Sequence, residues 1–169
     1  MEGERMREYL MATASTADHV SLAALQDILK RVREFLKMDI AFVAEFVDGR
    51  RVFRQVDAHQ PHQSFVTAGD SHALEDTYCQ RAIDGRLPLA IPNSRRNKEA
   101  RELAATDALQ IGCYLTAPIV LEGGVVYGTL CCYSHEPKDY LGQSEVAALE
   151  AVAKLFTQAI SKDRALYSR

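Results

Sequence analysis

Leu22, Leu25, Leu29, Val32 and Leu36, spaced alternately three and four apart after Asp18, mark the apolar seam of an amphipathic helix. At Asp39 the period changes. Ile40, Phe42, Ala44 and Phe46 then alternate with Ala41, Val43, Glu45 and Val47, which is the pattern of a strand. Asp48-Gly49 supplies hairpin turn residues, and Val52 to Val56 is the expected return strand. His59 to Ser71, rich in His, Gln and Gly, reads as a loop. Leu74, Tyr78, Cys79, Ala82 and Ile83 recur at helical spacing, with Gly85 placed to close the helix in a left-handed cap. Leu87 to Ile91 is a short apolar strand stopped by Pro92-Asn93, and Lys98 to Leu109 reads as one helix capped by Asn97.

Two further strands, Gly112 to Val120 and Val125 to Tyr133, flank Leu121-Glu122-Gly123-Gly124. A last helix, capped by Ser144, carries the stripe Val146, Leu149, Val152, Phe156 and Ala159. The order predicts an α+β fold, an antiparallel sheet with helices on its faces. A tight turn at Glu122-Gly123 sets Cys113, Leu115, Ala117 and Ile119 on one apolar face with Cys132, Leu130, Gly128 and Val126, ready to pack on the terminal helices. The other face is mixed: Tyr114, Thr116 and Pro118 oppose Cys131, Thr129 and Tyr127, and Glu45 joins them. Hydroxyls set among apolar bodies suit a small-ligand pocket.

The 169 residues, 47% hydrophobic, suffice for one domain, expected over 18–161. A helical extension over 1–17 precedes it, and 162–169 is the end of the last helix or a linker to an effector. A net charge of -3 with both signs interspersed offers no footprint for nucleic acid or a membrane surface. No apolar run is long enough to span a bilayer and no signal peptide is visible, so a cytoplasmic protein is expected. Cys79, Cys113, Cys131 and Cys132 show no Cys-x-x-Cys spacing and read as small buried hydrophobes. In His59-Gln60-Pro61-His62 the proline argues for a surface turn, and no metal site is expected.

Ala117-Pro118-Ile119, the Gly-Gly turn and Gly128-Thr129-Leu130, together with Thr77-Tyr78-Cys79 through Gly85 and Leu87-Pro88-Leu89-Ala90-Ile91-Pro92-Asn93, resemble the GAF family, in particular GAF sensors of bacterial cyclic-di-nucleotide signalling proteins. The resemblance implies a pocket between the mixed face and the helices near residues 75–84 and 98–109. Its ligand-binding candidates are Glu45, Tyr78, Cys79, Arg95, Arg101, Tyr114, Thr116, Tyr127, Thr129 and Cys131. Arg95, Arg96, Lys98 and Arg101 are positioned to meet an anionic group, although a basic run at a helix start is commonly a solvated face. Covalent bilin attachment is not expected, because the 98–109 segment holds no cysteine and Cys79 is followed by Gln80. The Asn-Lys motif of cyclic-nucleotide GAF domains is met by Asn97-Lys98 alone, without its downstream Phe.

The resemblance implies a non-catalytic sensor that binds a small ligand, pairs as a homodimer through its terminal helices, and drives an attached effector in cyclic-di-GMP signalling. It specifies no cofactor. The chain's close, Ala165-Leu166-Tyr167-Ser168-Arg169, carries no helix stop and reads as continuing into that effector. A ligand-free dimerisation scaffold is the alternative. A cysteine-based methionine sulfoxide reductase is a further one, for which Cys131 faces the pocket but lacks an obvious partner thiol.

Overall fold

A computed structural model describes Arg5, residues 22–60, His62 and residues 65–162; the expected extension over 1–17, Arg5 apart, and residues 163–169 lie outside it. The elements are α1 (Leu22–Phe35), β1 (Ile40–Val47), β2 (Arg50–Ala58), β3 (Ser71–Ala73), α2 (Tyr78–Ile83), β4 (Ala90–Ile91), α3 (Lys98–Glu102), α4 (Ala104–Ala108), β5 (Cys113–Val120), β6 (Val126–Ser134) and α5 (Gln143–Lys162). Among the described residues no helix is long and apolar enough to cross a membrane.

The strands form one antiparallel sheet in the order β3-β2-β1-β6-β5-β4. Two hairpins build it. In the first, Asp48 (φ 51°) and Gly49 (φ 75°) both take the left-handed conformation that matches the twist of a two-residue hairpin. The second joins β5 to β6, and the hairpins unite where β1 pairs with β6. Gly85 (φ 77°) closes α2 as its position predicts.

α1 and α5 cover one face. Leu25, Leu29, Val32, Leu149, Val152 and Phe156 pack there against Leu115, Ala117, Ile119 and Leu130. Arg33 of α1 fastens this layer to the sheet, holding Asp57 at 2.5 Å and the Met38 carbonyl at 3.1 Å. α2, α3, α4 and the segment bearing Phe65 and Val66 cover the opposite face, around Phe42, Phe53, Tyr114, Cys131 and Tyr133. Leu29, Leu36 and the stripe from Val146 to Ala159 are therefore used up inside one chain. A dimer would have to draw on outward faces, such as that of Phe35, which is 46% exposed.

Four local expectations change. The 59–71 loop ends in a strand, because Ser71–Ala73 finds the free edge of β2. Lys98 to Leu109 breaks into two helices at Leu103, whose ψ of 131° is extended. Ser144 is not the cap of α5; Glu145 instead accepts the Gly142 N–H at 2.9 Å and serves that end. The β5–β6 turn is longer than two residues, so Cys113 lies opposite Ser134 and Leu115 opposite Cys132. That slip is by two residues, which leaves each side chain on its expected face through most of the ladder.

Candidate functional site

The site grows from β2. Arg51 lies opposite Phe46 on one side and His72 of β3 on the other, and alternation turns it, with Phe53, toward the α2 face. It is only 2% exposed. Its guanidinium sits 4.4 Å from the centre of the Phe53 ring and 5.7 Å from that of Phe42, a cation held against aromatic faces. Nη2 donates to His72 Nδ1 at 2.9 Å, which requires a bare, unprotonated Nδ1; burial and the Arg51 charge both lower the His72 pKa accordingly. Nη1 points at Cys79 Sγ from 4.0 Å. Nε is buried without a partner, and among the described residues no carboxylate pairs with Arg51. A buried guanidinium ordinarily requires an opposing charge.

The available one is sulfur. Thr77 caps α2 by accepting the Gln80 N–H at 3.2 Å, which places Cys79 under the sheet. Cys79 Sγ lies 3.4 Å from Tyr114 Oη and 3.8 Å from Cys131 Sγ. Burial pushes the Cys79 thiol up, but the Cys131 donor, the Arg51 charge and the Thr129 and Tyr114 hydroxyls together hold it down at about 5. Cys131 moves the opposite way, well above the ordinary thiol range, through burial and the neighbouring Cys79. Cys131 Sγ lies 3.2 Å from Thr129 Oγ1 and 3.8 Å from Thr116 Oγ1. The two sulfurs are thus driven apart, Cys79 toward the thiolate and Cys131 toward the thiol, next to a guanidinium in a box of rings.

Tyrosines form the wall. The Tyr78 ring is 4.6 Å from that of Tyr114, which stacks on Tyr133 at 6.2 Å. Tyr78 Oη meets Thr106 Oγ1 at 2.5 Å, while Tyr133 Oη is buried with no partner. Arg51 Nε and Tyr133 Oη are thus two unmet polar atoms on the same face of the sheet.

Six of the ten sequence candidates meet here: Tyr78, Cys79, Tyr114, Thr116, Thr129 and Cys131. Four do not. Glu45 alternates with the α1–α5 face alongside Ala41 and Val43, and it pairs with Arg54 at 2.7 Å. Tyr127 is turned to that same face by a β-bulge: Ile119 pairs with Gly128 but Val120 with Val126, so Tyr127 is the extra residue and joins the helix-side core. Arg95 and Arg101 are exposed and line a separate cleft of about 850 Å³ beside Thr106, Gln110 and His135. Arg101 Nη1 donates there to the Arg95 carbonyl at 3.3 Å.

The GAF family model matches residues 22–160. The chain belongs to the GAF family. The solved GAF domain of an Acinetobacter phosphoenolpyruvate-protein phosphotransferase is similar, with TM-score 0.74 and 12% identity over 98% of this chain and 97% of that one. The phycocyanobilin-bound GAF domain of a cyanobacterial phytochrome matches at TM-score 0.71 and 13% identity, covering 96% and 98%. Reduced fRMsr of Staphylococcus aureus matches at 0.68 and 12%, covering 94% of each chain. No curated protein matches. At these identities the likeness is one of fold. In this GAF domain α3 and α4 carry no cysteine, and Cys79 is committed to Arg51.

Sequence reading missed Arg51, His72 and Tyr133. The expected return strand begins at Val52, one residue after Arg51, and His72 falls between the loop expected over 59–71 and the helix expected from Leu74. The period-two relation of Arg51 to Phe53 was the usable signal.

Proposed function

We propose that this GAF domain is a sensor whose input is a small molecule bearing an anionic group, taken up on the Arg51 side of the sheet. The observation that carries the reading is Arg51 Nε, buried without a partner on a guanidinium that, among the described residues, faces no carboxylate and, as an anion, only the Cys79 sulfur. An anion accepting from Nε and from Tyr133 Oη would satisfy both groups. Uptake requires the short elements over that face to part, and the change passes through the sheet to α1 and α5. The output side of the proposal is a homodimer through the outward faces of these helices, a cytoplasmic setting, and an attached effector in cyclic-di-GMP signalling, which rests on the sequence resemblance.

Native mass spectrometry of the purified domain tests it. A co-purifying anion, lost from the Arg51→Met variant, is the expected result. A ligand-free dimer that stays ligand-free with cell extract would replace the sensor with a scaffold, and a monomer would remove the dimer. The scaffold reading also expects Thr116→Val and Thr129→Val to leave signalling intact, whereas the sensor expects the response to fall without loss of thermal stability.

The 3.8 Å approach of Cys79 to Cys131 favours a second reading, a sulfoxide reductase. The Cys79 thiolate would attack the sulfoxide sulfur and, with a proton, take its oxygen as sulfenic acid while the thioether leaves. The Cys131 thiol would then displace water and form the disulfide, which an external dithiol reduces. Incubation with free methionine sulfoxide and dithiothreitol decides between them: turnover abolished by Cys79→Ser supports the reductase, and no turnover above buffer removes it.

A further inference from the structure

Where β1 begins and β6 ends, three side chains far apart in sequence converge outside the Arg51 site. Asp39 is locked in place by backbone bonds: its N–H donates to Ser134 Oγ at 3.0 Å and its carbonyl accepts from His59 N at 2.8 Å. One carboxylate oxygen, Oδ2, accepts the His135 N–H at 3.0 Å. The other, Oδ1, faces His62 Nε2 at 3.6 Å, too far for a hydrogen bond. His62 is anchored by its N–H to the His59 carbonyl at 2.7 Å. The His62 and His135 rings stand 4.6 Å apart with planes at 44°.

The decisive atom is His135 Nε2. Nδ1 of that ring lies 2.7 Å from the Gln110 carbonyl, an acceptor, so Nδ1 carries the proton and Nε2 presents a lone pair. Nε2 is buried and has no partner. A histidine whose Nδ1–H is held by a carbonyl, with its other nitrogen buried and unpartnered and its ring beside a second imidazole, has the arrangement of a metal ligand with its orienting hydrogen bond. The ligand atoms of Asp39, His62 and His135 all lie within 4.8 Å of one another. Small side-chain rotations would close them to the roughly 3.3 Å spacing that bonds of about 2.0–2.2 Å impose around a tetrahedral ion.

We propose that Asp39, His62 and His135 bind a divalent transition-metal ion of the class that prefers two imidazoles and a carboxylate, with zinc as the representative and water in the fourth position. Imidazole nitrogen excludes magnesium and calcium as the preferred guests. The ion would tie the segment around His62 to the junction of the two central strands. His59, whose ring centre lies 6.2 Å from that of His62, stands outside the set. Pro61 does not prevent His62 from serving, because the partners come from Asp39 and His135 rather than from His59.

Titration of chelator-treated full-length protein with zinc by calorimetry tests this, alongside thermal unfolding with and without the ion. One zinc per chain is expected, with a zinc-dependent rise in melting temperature and little binding of magnesium. His62→Ala and His135→Ala should each weaken binding on the order of a hundredfold or more, and His59→Ala should leave it within a few-fold. Cobalt should give a spectrum without thiolate charge transfer, which separates this site from Cys79 and Cys131. Zinc binding unchanged in His62→Ala, a thiolate–cobalt band, or no binding by the wild type would each overturn the proposal. Should His135→Ala fail to fold, His62→Ala carries the test alone.

Discussion

Replacing Arg51 by methionine is expected to convert Cys79 from thiolate to thiol at neutral pH while the domain stays folded. The Cys79 thiol is held at about 5 against the upward push of its own burial, with Cys131 and Arg51 the foremost of the groups opposing it. Without the guanidinium the thiolate would be a buried charge facing only neutral donors, so it takes up a proton. The thiolate fraction near pH 7 should drop, with the Cys131, Thr129 and Tyr114 hydrogen bonds left as the only groups opposing burial. Methionine fills similar volume against Phe42 and Phe53, and exchanging a buried charge pair for packed apolar groups is often neutral for stability. NMR of carbon-labelled Cys79 Cβ through a pH series reads the result directly; an unchanged titration would show that Arg51 does not hold the charge.

The same shift has a thermodynamic signature. A thiol depressed to about 5 in the folded state and near its ordinary value of about 8.5 when unfolded contributes stability that is complete above the unfolded value and is lost as pH falls toward 5. His72, with its folded pKa lowered, reinforces the loss at the acid end. Above the ordinary thiol value the sign reverses. Cys113, pushed up to about 11, and Cys131, Cys132, Tyr114 and Tyr133, also raised by burial, stay neutral in the fold but ionise on unfolding. Denaturation midpoints should therefore rise between about pH 5 and 8.5 and fall beyond it. In Arg51→Met the rising limb should flatten.

Periodicity revealed most of the architecture because the sheet's two faces differ in chemistry. The alternation in β1, β5 and β6 separates Leu115 and Leu130 from Thr116 and Cys131, and a register error of two residues leaves that separation intact. Tyr127 escaped because a bulge reverses the alternation over a single residue, and nothing in the residue types around Val126 announces it. Glu45 escaped for a different reason: a carboxylate in a strand reads as pocket chemistry, whereas here it neutralises Arg54 across the hairpin.

The site was harder to read because its charge comes from a residue type that usually faces water. The run around Arg95 and Arg101 attracted attention as a basic cluster, yet it lies on the surface, while the single Arg51 entered the interior because Phe53 and Phe42 provide a bed for its guanidinium. The partner thiol of Cys131 was likewise hidden by distance in sequence, since Cys79 reaches it only after α2 folds across the sheet.

Gly128→Ala is expected to be strongly destabilising. A Cβ at Gly128 would stand 1.8 Å from the Ala44 carbonyl oxygen and 3.1 Å from Glu45 Cα, all backbone atoms of β1. No side-chain rotation relieves such a contact. The strands must separate where β1 meets β6, the seam that joins the two hairpins. A cost of about 3 kcal/mol or more follows, equivalent to roughly 6–12 °C in melting temperature or to failure to accumulate as folded protein. Gly123→Ala is the contrasting case. Gly123 has φ 83° but its Cβ would meet nothing within 4 Å, so only the conformational cost of about 1 kcal/mol applies. Equal losses in the two variants, measured by thermal unfolding, would mean that β1 and β6 do not approach as closely as this register requires. Thr129 and Cys131 on one face and Leu130 and Cys132 on the other follow Gly128 directly along β6. If the proposed sensor reading holds, a strand gripped that tightly by its neighbour would pass a displacement at the Cys79 side to α5 as a shift of the whole sheet, rather than losing it in local bending.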